Sequence, residues 1–141
     1  MFYHQRTSIP DSPRELRTAY DDELARIVRE VDGEAVGKTT SVDRDEIETL
    51  LEGGSPDLSL TGAAEIASLA EGAPDAETIV VEACEHLLLG MSMAVLDVES
   101  LASHLDLDLE PKEIQQKIER RAPMSFDEYV HLQFAIVDRT T

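Results

Sequence analysis

The chain has 141 residues, 42% of them apolar, which is enough for one core of its own. Three Phe, three Tyr and no Trp leave that core to Leu, Ile, Val and Ala, a mixture that favours helices packed on helices. Thirty acidic against twelve basic residues give a net charge of -18, and the single cysteine, Cys84, excludes an internal disulfide framework and a multi-cysteine zinc site.

In chain order, residues 1–11 are mostly polar and read as an extended segment without the charged start, apolar run and cleavage site of a secretory leader. A cytoplasmic location is the expectation. Ser12-Pro13-Arg14-Glu15 is a capping box with proline at the first helical position, and Leu16, Tyr20, Leu24, Ile27, Val28 and Val31 recur on one face. A helix of about five turns follows, stopping near Gly33. Residues 34–39 suit a short helix. Asp43-Arg44-Asp45-Glu46 is a second capping box, opening a helix that carries Ile47, Leu50 and Leu51 and ends at Gly53-Gly54.

After Ser55-Pro56-Asp57, residues 60–70 form a helix of small and apolar residues, with Gly72 beyond its end. Residues 76–96 are the most apolar segment, and their apolar side chains come to surround the helix, so its second half is expected to be buried. Central placement in the monomer and a homodimer interface are equal alternatives for that burial, and Gly90, Met91 and Met93 suit close, adaptable packing in either. The apolar stretch within it, Leu87 to Leu96, is too short to span a bilayer, so no membrane partner is expected. Asp97 caps a short helix through Leu105, Glu110-Pro111 opens another to about Arg121, and Ser125-Phe126-Asp127-Glu128 is a third capping box for a helix through about Asp138.

The charge is unevenly spread: residues 1–31 sum to -1, residues 32–110 to -17 and residues 111–141 to zero. A balance of this kind, with nine Arg and only three Lys, resembles haloarchaeal cytoplasmic proteins, in which dense carboxylates keep a protein soluble where salt screens their repulsion to a few ångströms. An acidic surface made for a basic partner is the alternative. The whole chain is also similar to a family of haloarchaeal proteins with no assigned activity.

Residues 45–56, Asp-Glu-Ile-Glu-Thr-Leu-Leu-Glu-Gly-Gly-Ser-Pro, align with residues 112–123, Lys-Glu-Ile-Gln-Gln-Lys-Ile-Glu-Arg-Arg-Ala-Pro. Glu46, Ile47, Glu52 and Pro56 fall on Glu113, Ile114, Glu119 and Pro123, and Leu58-Ser59-Leu60 then lies over Met124-Ser125-Phe126 after one deletion. An internal repeat of about 66 residues is the expectation. Each copy resembles a degenerate helix-turn-helix of the Cro and lambda-repressor type over residues 34–71 and 98–138, with Arg44 to Glu52 and Pro111 to Arg121 at the recognition helix. The resemblance implies DNA as a partner to be tested.

The first recognition helix offers Arg44 amid Asp43, Asp45, Glu46, Glu48 and Glu52, which repels phosphate. The second turns Ile114 and Ile118 inward and presents Lys112, Gln115, Gln116, Glu119 and Arg120 outward, with Lys117 and Arg121 on the flanks. All of these but Glu119 are the six candidate nucleic-acid or partner contacts. Glu82 and His86, at i and i+4, lack a partnering Glu-x-x-His helix, so no metal is expected; no nucleophile elbow, Ser-His-Asp spacing or phosphate loop appears, so no cofactor or catalytic residue is expected either.

The sequence thus predicts one all-α domain over residues 1–141, of about eight helices. Two helix-turn-helix-like units, residues 12–72 and 75–139, pack around the apolar 76–96 helix. The expected function is that of a non-enzymatic interaction or regulatory protein with a protein partner, a second copy held through residues 76–96 being one such partner. A transcription regulator using the second repeat on DNA is the alternative.

Overall fold

The computed structural model describes residues 10–140, so the expected extended segment at residues 1–11 lies almost wholly outside the described residues. Among the described residues eight helices follow one another: α1 (Pro13–Val31), α2 (Gly33–Thr39), α3 (Arg44–Leu51), α4 (Leu60–Ala67), α5 (Ala76–Ala94), α6 (Val98–Ser103), α7 (Pro111–Ile118) and α8 (Phe126–Thr140). No strand occurs among the described residues, only an isolated antiparallel bridge between Ser59 and Ser125.

The helix starts follow from local chemistry. Ser12 accepts from the Glu15 amide at 3.2 Å, and Asp43 and Glu46 cap each other's backbone reciprocally. Ser125 does the same with Glu128: its hydroxyl accepts from the Glu128 amide at 2.9 Å while Glu128 accepts from the Ser125 amide at 2.8 Å. Asp75 and Asp97 each cap through a carboxylate, on Thr78 and Ser100.

The stops differ more from expectation. α1 ends on Asp32, at φ +97°, and Gly33 already belongs to α2. α3, α5 and α7 end alike, with an amide reaching back five residues around one left-handed residue: Gly54 to Thr49, Leu96 to Met91 and Arg121 to Gln116. The left-handed residue is glycine only in α3. In α5 it is Val95 (φ +55°) and in α7 Arg120 (φ +65°), so α7 stops at Ile118, short of the expected Arg121.

The core joins α1, α3, α4, α5, α7 and α8 through Leu16, Tyr20, Leu24, Ile47, Ile66 and Ile79, among others. Tyr20 and Phe126 meet at a 46° tilt with 5.8 Å between ring centres, and the Tyr20 hydroxyl donates to Gln133 at 2.5 Å, which fixes α8 on α1. The segments aligned in the sequence also meet. The Leu60 amide donates to the Met124 carbonyl at 2.9 Å and the Phe126 amide to the Leu58 carbonyl at 2.8 Å, the two bonds that flank the Ser59–Ser125 bridge.

Two charged residues lie inside this apolar frame. Arg17 is 6% and Asp21 5% exposed; Arg17 Nε donates to Asp21 at 2.9 Å, and its other nitrogens reach the Pro56 carbonyl and, at 3.6 Å, Asp127. The guanidinium also lies 5.0 Å from the Phe126 ring centre, and Ser55 donates to the second oxygen of Asp21. One side chain thereby ties α1 to the α3–α4 loop and to the start of α8.

The main correction concerns α5. Its N-terminal half and one side bury Ile79, Ala83, Cys84, Leu87 and Met91 against α4, α7 and α8. Its second half is not buried as expected: Leu88 is 46%, Leu89 57%, Met93 68% and Val95 89% exposed. α4 and α8 cover one side of the helix, and no described element crosses the other.

Candidate functional site

Two surfaces stand out from the acidic exterior. The first is the bare end of α5. Leu88 and Leu89 lie one turn before Ser92 and Met93, and Val95 closes the patch, so the four exposed apolar side chains share one side of the helix. Single exposed apolar residues are ordinary, but here four fall within eight positions. On the opposite side Gly90 lets α8 approach: a Cβ there would stand 2.6 Å from Ile136 Cγ2. The packing of α5 on α8 thus fixes which side remains outward.

The charge that α5 and α6 place beside this patch is one-sided. Glu85, Asp97 and Glu99 bracket it and are exposed. No Lys or Arg occurs anywhere between Arg44 and Lys112, so α4, α5 and α6 carry no fixed cation. Val95 adds a backbone observation: a β-branched residue in the left-handed region is strained, and it is held there almost fully exposed.

The second surface is a cavity of about 320 Å³ between the start of α4, the middle of α5 and the α7–α8 loop. Leu60, Val80, Cys84 and Met124 give it an apolar floor, and Lys117, Arg120 and Arg121 stand around it. Of the six predicted contact residues, the structure brings these three together and leaves the others out. Lys112 and Gln115 are exposed on α7, where Gln115 donates to Glu119 at 3.2 Å, and Gln116 is half-buried, its carbonyl accepting from the Arg121 and Ala122 amides. The expected groove-reading face is therefore divided, because Arg120 and Arg121 lie past the helix end.

The three cations differ in their engagement. Lys117 donates to Glu128 at 2.6 Å. Burial opposes ionisation of Glu128, but Lys117 and the Ser125 amide outweigh it, and the Glu128 pKa falls below the usual glutamate value. Arg121 makes only a loose exposed pair, 3.5 Å, with Glu119. Among the described residues Arg120 pairs with no carboxylate; its guanidinium lies beside the buried Cys84 thiol, whose pKa burial raises and Arg120 partly restrains. Cys84 is thus a buried thiol held in its neutral form, as its apolar neighbours suggested.

Two expectations follow from these local facts. Arg120→Gly should stabilise the chain by about 1 kcal/mol, because glycine occupies the left-handed region without the penalty of a Cβ; the midpoint of denaturant unfolding measures it. Glu128, Asp75 and Asp97 all ionise more readily folded than in the ordinary carboxylate range. Their contribution to stability is therefore complete above the unfolded pKa and is lost as pH falls through the folded one. The melting temperature at fixed salt should be level down to about pH 5 and decline below it, and Glu128→Gln should make that decline shallower.

What these elements define is an all-helical domain in which no described element covers the outer side of the α5 end and no described helix is long and apolar enough to cross a membrane. A model of a family of unknown function, DUF5791, matches residues 16–139, and the chain belongs to that family. No curated protein and no solved structure matches it.

Proposed function

We propose that this chain is a non-enzymatic interaction protein whose docking face is the exposed end of α5, and that the partner is an amphipathic helix with an apolar ridge and basic flanks. The observation that carries the reading is the exposure of Leu88, Leu89, Met93 and Val95 beside Glu85, Asp97 and Glu99, on a stretch of chain, α4 to α6, that carries no Lys or Arg. An apolar ridge would fill the side of α5 that α4 and α8 leave bare, and Met93 would adapt to its shape. Lys or Arg on the flanks would meet Glu85, Asp97 and Glu99. A second copy fits less well, since two α5–α6 segments would set Glu85, Asp97 and Glu99 against their own kind.

The helix-turn-helix reading has less support. Arg120 and Arg121 leave the α7 helix and Lys117 is tied to Glu128, so a DNA groove would meet chiefly Lys112 and Gln115 beside Glu113 and Glu119.

A synthetic helix with a Leu ridge and Lys flanks tests the proposal, by fluorescence anisotropy across a potassium chloride series in which the protein keeps its helicity. Saturable binding is expected, with a scrambled peptide of the same composition and an acid-flanked version binding at least tenfold more weakly. Leu89→Glu and Met93→Glu should each abolish binding without lowering the melting temperature. Val95→Gly should weaken binding while stabilising the free chain, since it removes both an apolar contact and a strained conformation. Equal binding of the scrambled peptide, or a dimer mass for the chain alone that Leu89→Glu reduces to a monomer, would refute the partner assigned.

A further inference from the structure

The cavity beside Arg120 lies away from the docking face, at the edge of the core, where Leu60, Cys84 and Met124 form its floor. It begins at Val80 and Cys84, a turn or more toward the α5 N-terminus from Leu88, and opens among the cations of the α7–α8 loop. The aligned segments explain why those cations call for an account. Lys117, Arg120 and Arg121 fall on Leu50, Gly53 and Gly54 of the first segment. Gly53 and Arg120 perform the same backbone task, the left-handed residue that ends a helix. The first segment meets that requirement with the residue that incurs no steric penalty, and the second holds an arginine there under strain.

The strained arginine also lines the cavity. It shares that lining with Cys84, in the part of the chain where charge sums to zero within a molecule of -18. Glu128 answers Lys117, and Glu119 answers Arg121 only at 3.5 Å on an exposed flank, so Arg120 is the cation left to be matched. The walls it overlooks are Leu60, Val80 and Met124. A wholly aqueous anion would not use those walls, and a wholly apolar molecule would not use the cation.

We propose that this cavity binds a small organic anion, a short apolar chain bearing one carboxylate or phosphate head, with the chain against Leu60, Val80 and Met124 and the head on Arg120. Arg121 joins the head once its loose pair with Glu119 opens. The volume, about 320 Å³, lies at the lower end of small-ligand sites and suits a body of a few carbons. Carboxylate and phosphate heads share the needed chemistry, a compact anion that a guanidinium grips through two parallel hydrogen bonds.

Titrations of the whole chain with hexanoate, hexyl phosphate, hexanol and inorganic phosphate, followed by amide resonances, separate the contributions. Hexanoate or hexyl phosphate should shift the amides of Cys84, Arg120, Ala122 and Met124 saturably, the tighter of the two identifying the head group. Hexanol and inorganic phosphate should bind at least tenfold more weakly. Arg120→Gly, a variant expected to fold more stably than the parent, should lose at least tenfold in affinity, Arg120→Lys should retain part of it, and Leu89→Glu should leave it unchanged. Binding of hexanol as tight as that of hexanoate, binding of inorganic phosphate as tight as that of hexyl phosphate, unchanged affinity in Arg120→Gly, or shifts confined to residues outside the cavity would each overturn the assignment.

Discussion

Arg17→Met should lower the stability of the chain by about 3–5 kcal/mol, a fall of roughly 10–20 °C in melting temperature. The variant has nearly the volume of the parent side chain, so the loss reads the charge and not a cavity. Arg17 and Asp21 are both nearly inaccessible, and Asp21 left alone would be a buried carboxylate with only Ser55 to solvate it. Arg17→Lys should be nearly as damaging. One guanidinium holds Asp21, the Pro56 carbonyl and Asp127 in three directions and stacks by Phe126, and an ammonium cannot serve that geometry.

The decisive comparison is the double variant. Arg17→Met with Asp21→Leu should recover most of the loss, because an apolar pair of similar volume removes both desolvated charges and the Pro56 carbonyl keeps the Leu58 amide as a donor at 3.0 Å. Urea unfolding of the parent, the two single variants and the double variant gives the coupling directly. A double variant no more stable than Arg17→Met would show that the ion pair is not what holds α1 to the α3–α4 loop.

Gly90→Val should cost about 3 kcal/mol, and Gly90→Ala about 1–2 kcal/mol even though alanine favours a helix interior. A Cβ at this position would stand 2.6 Å from Ile136 Cγ2, closer than side chains pack. Ile136 is β-branched on a helix and holds essentially one rotamer, so it cannot swing away and α5 must lift from α8. Ile136→Ala should therefore rescue Gly90→Ala beyond the sum of the two effects, as seen in melting temperatures. Lifting α5 would also displace the exposed patch, so peptide binding should weaken in Gly90→Val in parallel with its stability.

Much of the secondary structure was legible because it is local. Ser12, Asp43, Asp75, Asp97 and Ser125 each cap a helix start, and the apolar periods of α1, α3 and α7 name the residues that they bury. The Arg17–Asp21 pair was visible only as an i, i+4 spacing on α1, since nothing local distinguishes a buried ion pair from a solvated one. Its burial depends on the α3–α4 loop arriving over it. Likewise a helix stop at Arg120 could not be read from its residue type, because glycine is the usual signal and Ala122-Pro123 allowed the helix to run further.

For α5 the sequence determined that the helix is apolar nearly all round, and with it the expectation that its second half is covered. Tertiary structure decided otherwise. An all-round apolar helix has no preferred side in its own sequence, so the side that stays outward is set by its neighbours: Gly90 admits α8 on one side, α4 takes another, and Leu88, Leu89, Met93 and Val95 are left bare. The charge distribution belongs wholly to the sequence, since it is a count along the chain. That Lys117, Arg120 and Arg121 face one cavity belongs wholly to the fold, because it needs α4 and α5, dozens of residues away, to form the walls.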